Sequence, residues 1–165
     1  MSNYLKKIFD ESPYSSTKHT SYFDSYEKLF SRFRGKKITF IEVGILNGGS
    51  LFMWKNYFGK DSRIIGIDNN PAAKIWEDHG FEIFIGDQAN PEFWNYFKKK
   101  IGMVDVLLDD GGHTDLQQAT TLFEFIDNIN DGGVLVVEDV HTSYLKEFGN
   151  PSKLSFVNLT FNLIF

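Results

Sequence analysis

The sequence contains no cysteine. Disulfides, thiolate metal ligands and a cysteine nucleophile are excluded, and a reducing, cytoplasmic setting is the simplest expectation. Proline is scarce, with four in 165 residues, and no low-complexity tract or internal repeat divides the chain; this length predicts one domain. A basic balance is also lacking: 17 basic against 22 acidic side chains give a formal net charge of −5, and the one compact lysine run is Lys98-Lys99-Lys100. No nucleic-acid partner is expected from such a surface. No apolar run approaches the roughly 20 residues that a membrane span needs. The segment Met1 to Lys7 has no apolar stretch behind its charges, so no membrane association and no signal peptide are expected. What the chain has in excess is aromatic rings, 16% of residues including 17 Phe. They predict a Phe-rich core, with an exposed aromatic surface as the sharper alternative.

Residues 1–20 are polar, punctuated by Pro13, Ser15, Ser16 and Thr17, and read as an irregular lead-in. His19 and Tyr22 are expected to be solvated there, covering a ligand being the alternative. Residues 21–165 read as a single domain. Phe23, Tyr26, Leu29, Phe30 and Phe33 recur at helical spacing up to Gly35. Short apolar, β-branched runs follow at 38–43, 63–68, 81–86, 104–109 and 134–140, nearly continuous in character, as for strands covered on both faces. Helical patterns separate them. One carries Leu51, Trp54 and Tyr57; two begin at Pro71 and Pro91 behind the N-cap candidates Asn70 and Asn90. Another sets Leu116, Ala119, Phe123, Ile126 and Ile129 along one expected inward face. Five strands alternating with helices predict an α/β fold with a doubly wound, mostly parallel sheet. Its ligands should gather at the carboxyl ends of the strands.

The first strand runs into Glu42-Val43-Gly44-Ile45-Leu46-Asn47-Gly48-Gly49-Ser50. A dinucleotide fingerprint needs a glycine where Leu46 stands, so a pyrophosphate is disfavoured. Glu42 would repel a phosphate and suits a cationic ligand. Asp68 ends the second strand, where a carboxylate can accept from both ribose hydroxyls. Asp87 follows the third, in Gly86-Asp87-Gln88, within reach of an adenine amino group. One acid after each of three strands fits S-adenosylmethionine; the bland alternative is a tight strand–helix turn with solvated acids. The fourth strand ends Asp109-Asp110-Gly111-Gly112-His113 and the fifth Glu138-Asp139-Val140-His141. Four carboxylates brought together this way are costly without a cation. Carboxylates without cysteine favour a hard ion, Mg²⁺. His113 has the pKa range of a general base, and His141 reads as capping or packing.

These segments resemble the macrocin and mycinamicin sugar O-methyltransferases, members of the class I methyltransferases that depend on S-adenosylmethionine and magnesium. The resemblance runs through Glu42-Val43-Gly44 to Ser50-Leu51, Gly66-Ile67-Asp68, Gly86-Asp87-Gln88, Asp110-Gly111-Gly112-His113, and Gly132-Gly133 through Glu138 to Tyr144. It implies that Asp110, Glu138 and Asp139 hold the metal and that His113 is the base; Asp109 matches no family ligand and reads as structural. The cofactor would be bound by Glu42, Gly44, Asn47, Gly48, Ser50, Asp68, Asp87 and Gln88. The expected function is methyl transfer to a hydroxyl of a sugar or glycosylated small molecule. A catechol-type, metal-dependent O-methyltransferase and a shortened, non-catalytic cofactor-binding paralogue are the alternatives. The family continues for two more strands where this sequence ends. In residues 154–165, Val157, Leu159, Phe161 and Leu163 alternate as in a strand, while Leu154, Val157, Phe161 and Ile164 give a helical stripe. Either way the fifth strand is left at an open edge, which predicts a homo-oligomer or a further polypeptide covering it.

Overall fold

The computed structural model describes residues 3–148 and 152–164. Five strands, β1 (Thr39–Val43), β2 (Arg63–Asp68), β3 (Glu82–Ile85), β4 (Val104–Asp109) and β5 (Ile129–Val137), form one sheet in the order β3-β2-β1-β4-β5. Every pairing is parallel, with Val43 opposite both Ile67 and Asp109 at the carboxyl end. The strand order reverses beside β1, so a crevice opens between the ends of β1 and β4. The expected doubly wound sheet is present. β5 begins at Ile129 rather than Val134 and ends at Val137, because Asp139 turns into the left-handed region two residues on.

Helices cover both faces. α1 (Tyr4–Asp10), α2 (Tyr22–Phe30) and α3 (Gly49–Phe58) lie on one side, α4 (Pro91–Ile101) and α5 (Asp115–Phe125) on the other. On the first side Tyr26, Phe30, Phe40, Trp54 and Phe58 are packed ring to ring; on the second Trp94, Phe97 and Phe125 do the same. The aromatic excess is therefore largely core. Asn70 and Asn90 cap as expected, each accepting from the amide two residues on, at 3.0 and 2.9 Å, although Pro71–His79 winds as 3₁₀ turns.

Two expectations are corrected. The lead-in is not irregular throughout: α1 forms behind its cap Asn3 and buries Leu5 and Ile8 in the core. α5 is rotated from its expected face. Leu116, Phe123 and Ile126 are exposed, while Gln118, Thr121 and Phe125 are buried. The polar pair is drawn inward by hydrogen bonds, Gln118 donating to the Glu138 carbonyl (2.9 Å) and Thr121 accepting from Gln88 (3.1 Å). At the C-terminus the helical pattern prevails over the alternating one, as α6 (Phe156–Ile164). Phe156 is its buried anchor and Leu154 stands exposed. The expectations that involve Met1, Ser2, the Ile164 side chain and Phe165 lie outside the described residues. β5 is an edge strand. Among the described residues, no helix is long and apolar enough to cross a membrane.

Candidate active site

A cavity of about 550 Å³ lies at the carboxyl ends of the strands, walled by the β1–α3 loop, the ends of β2 and β3, and residues 110–113. Gly44, Asn47, Ser50, Asp68, Asp87 and Gln88, six of the eight expected cofactor residues, line it. The loops are held close by local chemistry. Gly44 adopts φ +80°, and the Asp110 carbonyl lies 2.2 Å from where a Cβ would stand, so a side chain has no room. Asp68 accepts from the amides of Ile45 (3.1 Å) and Asn70 (2.9 Å), pinning the first loop to the end of β2. Gln88 donates to both oxygens of Asp109 at 3.0 and 3.1 Å and accepts from the Gly112 amide at 2.8 Å. Its amide therefore shapes the wall. Burial raises the pKa of Asp109, against the pull of those hydrogen bonds, and its carboxylate faces Gln88 rather than the cavity.

The other two expected cofactor residues are placed differently. Gly48 is the left-handed turn before α3, with the Trp76 ring 2.3 Å from its would-be Cβ. Glu42 is wholly buried, accepting from Ser50 Oγ (2.6 Å) and Trp54 Nε1 (3.2 Å). The cation it meets is internal. Lys18 Nζ, from the lead-in, donates to Glu42 (3.0 Å), Asp110 (2.5 Å) and Glu138 (2.8 Å) with its side chain fully buried. Burial lowers the pKa of such an ammonium, but the carboxylates of Glu42, Glu138 and Asp110 outweigh it and hold it well above its ordinary value. Burial likewise pushes Asp110 up to about 8; Lys18 opposes the shift, and Glu138 and Glu42 add to it. Sequence reasoning missed Lys18. The available signal was an acid cluster too crowded to lack a counter-charge, and Lys18 as the one charged side chain between Glu11 and Asp24.

Asp110, His113 and Asp139 form a second group, one ligand atom from each lying within 4.8 Å of the others. His113 Nε2 stands 3.8 Å from Asp110 and 3.6 Å from Asp139. Two carboxylates with an imidazole at this spacing fit a divalent ion of the hard or borderline kind. Glu138, the third expected ligand, is instead turned inward to Lys18 and to the Tyr26 hydroxyl. Tyr22 is half-buried rather than free in solvent: its hydroxyl donates to Asp139 at 2.6 Å, and burial together with that bond raises its pKa to about 12. His141 is exposed, its Nδ1 3.9 Å from Asp139 and its ring 6.4 Å from that of His19. Thr142 Oγ1 ties the His113 and Asp139 carbonyls together at 2.7 and 2.8 Å. The three non-glycine residues with positive φ among those described, Leu46, His113 and Asp139, all line this cavity. Backbone held in so costly a region is characteristic of functional sites.

No protein-family model matches the sequence. It is 33% identical over 137 residues to an 8-demethyl-8-alpha-L-rhamnosyl tetracenomycin-C 2'-O-methyltransferase of Streptomyces olivaceus, covering 79% of this chain and 35% of that protein. A mycinamicin VI 2''-O-methyltransferase of Micromonospora griseorubida is 28% identical over 134 residues, covering 77% of this chain and 33% of that protein. The chain thus spans about a third of the length of the curated relatives it matches. Among solved structures, the MycE methyltransferase of the mycinamycin pathway in complex with Mg and SAH superposes with a TM-score of 0.86 at 25% identity, over 97% of this chain and 47% of that one. The same protein with Mg, SAH and mycinamycin VI gives 0.85 at 25% identity, with the same coverage. These likenesses establish the fold as that of the class I methyltransferases.

Proposed function

We propose that this chain, which has the class I methyltransferase fold and sugar O-methyltransferases as its relatives, transfers the methyl group of S-adenosylmethionine to a hydroxyl of a sugar or glycosylated small molecule, with Mg²⁺. The observation that carries the reading is one of adjacency. Asp110, His113 and Asp139 belong to the wall of the same cavity that Gly44, Asn47, Ser50, Asp68 and Asp87 line. A cofactor site and a hard-cation site therefore share a boundary, where a methyl donor and an acceptor hydroxyl have to meet. The complexes of MycE with Mg, SAH and mycinamycin VI support the same pairing.

The cavity falls within the size range of cofactor sites. Asp68 would take the ribose hydroxyls and Asp87 the adenine edge, while the β1–α3 loop faces the amino-acid end. Glu42 acts from below, through Ser50 and Lys18. Asp110 and Asp139 would hold the ion. When bound, it supplies Lewis acidity that lowers the pKa of the acceptor hydroxyl. His113 receives the acceptor proton at Nε2, its backbone fixed by Thr142. The oxygen then attacks the methyl carbon in line as the sulfur–carbon bond breaks, the protein contributing orientation and a preorganised field. The position of His113 Nε2 between the two carboxylates favours a second reading, in which it is a third ligand; Glu138, the third ligand expected from the resemblance, gives its Oε1 to Lys18 and Tyr26 instead.

The test is methyl transfer to a panel of sugars, glycosides and catechols, with Mg²⁺ or with excess chelator. Turnover on glycosides that chelation abolishes supports the proposal. Transfer to catechols alone favours the catechol-type reading, and S-adenosylhomocysteine binding without turnover on any acceptor favours a non-catalytic role. The open edge of β5, the exposed Leu116 and Phe123 of α5 and the exposed Ile126 just after it support association with a second copy or another polypeptide. Sedimentation that stays monomeric over a wide concentration range would remove that part. The cysteine-free composition supports a cytoplasmic setting.

A further inference from the structure

We infer that Lys18 is a positioning residue, which latches residues 12–18 down as the roof of the cavity described above. The inference rests on the cofactor reading of that cavity. Lysine has three N–H donors, and all three are committed, to Glu42, Asp110 and Glu138. No donor is left for a cofactor or an acceptor, so Lys18 can act only through what it holds.

On one side it holds the ends of three neighbouring strands: Glu42 lies in β1, and Asp110 and Glu138 directly follow β4 and β5. On the other it holds a segment with no helix or strand of its own, residues 12–20. The segment has a second anchor region at its start. Ser12 Oγ donates to the Gly49 carbonyl at 2.9 Å. The Tyr14 ring packs on Phe52 and Trp76 with centroids 4.9 and 4.8 Å away. The backbone passes so near α3 that the Tyr14 and Ser15 carbonyls lie 2.2 and 2.5 Å from the Cβ that Gly49 lacks. Between these anchors and Lys18 sit Ser16 and Thr17, and both line the cavity. A span fixed at both ends and facing the cavity in its middle is a roof. With one end released, the span keeps only a long hydrogen bond from Asn47 Nδ2 to Ser15 Oγ (3.4 Å) among the side-chain bonds of its middle.

The test joins hydrogen exchange on the ligand-free protein with calorimetric and stopped-flow binding of S-adenosylhomocysteine. Lys18→Met keeps the length of the side chain and removes its charge. Expected are exchange in residues 14–18 faster by about tenfold or more, with β1 and β4 still protected, and S-adenosylhomocysteine bound about tenfold or more weaker, chiefly through faster release. Lys18→Arg, which keeps the charge, restores most of both. Unchanged strap exchange or unchanged affinity in a folded Lys18→Met protein overturns the inference. Should that variant not fold, Tyr14→Ala frees the other end without touching the acids and is expected to loosen the strap and weaken binding in the same way; intact affinity with a loosened strap overturns the roof. Wild-type protein that binds no S-adenosylhomocysteine refutes the cofactor reading instead, and the exchange measurement still decides the latch.

Discussion

Replacing Gly44 by alanine gives a sharp measure of how closely the two halves of the site are pressed together. The Gly44 amide donates to Ile67 O (2.8 Å) and the Asp110 amide to Val43 O (2.9 Å), which sets the Asp110 carbonyl over Gly44 Cα. A new Cβ would meet the Asp110 carbonyl oxygen at 2.2 Å, Gly111 Cα at 2.7 Å and the Asp110 carbonyl carbon at 2.8 Å, all of them backbone atoms. Two costs add. An L-residue in the left-handed region costs roughly 1–2 kcal/mol. Forcing the 110–111 peptide aside adds about 1–3 kcal/mol, the scale of overpacking. The sum of about 2–5 kcal/mol lowers the midpoint of thermal unfolding by roughly 4–20 °C for a chain of this size. Gly35→Ala is the internal control: it shares the left-handed backbone, at φ +69°, but its Cβ would meet nothing within 4 Å. That variant incurs the conformational cost alone, about 2–8 °C. Circular dichroism melts of the two variants side by side isolate the steric part. Equal shifts would refute the close approach, and with it the placement of residues 110–113 against the β1–α3 loop.

Removal of the His113 imidazole as alanine should slow single-turnover methyl transfer by about 10²–10⁴-fold, the usual worth of a general base. Mg²⁺ affinity measured on the same variant should hold; a matching loss of affinity makes the imidazole a ligand instead. Asp139→Asn should abolish metal-dependent turnover while leaving S-adenosylhomocysteine affinity within about threefold, since a cation clamp and a cofactor cleft are separable contributions; calorimetry with each ligand checks this. Phe125→Ala should cost about 3–5 kcal/mol in urea unfolding, and Phe123→Ala no more than about 0.5 kcal/mol. The reverse order would mean that α5 presents its other face.

The strands were legible because each is a compact β-branched run bounded by turn residues, and the acids at their ends were legible because parallel topology brings strand ends together. Asp68, Asp87, Asp110 and Asp139 accordingly line the cavity where the motifs put them. The face of α5 was not legible. Its apolar period is genuine, but it describes Leu116, Phe123 and Ile126, whereas the face turned to the sheet carries Gln118 and Thr121, whose burial is secured by partners 20 and 33 residues distant. Hydrophobic periodicity carries no trace of a polar residue satisfied by a remote one. Lys18 was hidden for the same reason, and so was the inward turn of Glu138, since the partners of both are set by tertiary contacts alone. Glu42 was recognised as facing a positive charge, but the charge belongs to the protein itself.

The latch also sets an order of events during synthesis. Lys18 leaves the ribosome before its partners Asp110 and Glu138, which lie 92 and 120 residues further along. At about 5–20 residues per second, the interval between Lys18 and Glu138 is roughly 6–24 s. Contacts of such separation form late, because the loop must be closed before they contribute. The segment made before all three acids is therefore among the last to dock, and the cleft stays unroofed until β5 and the turn after it have been made. A nascent chain stalled short of Glu138 would expose an acidic cleft with a loose strap beside it, which in the finished protein Lys18 draws together.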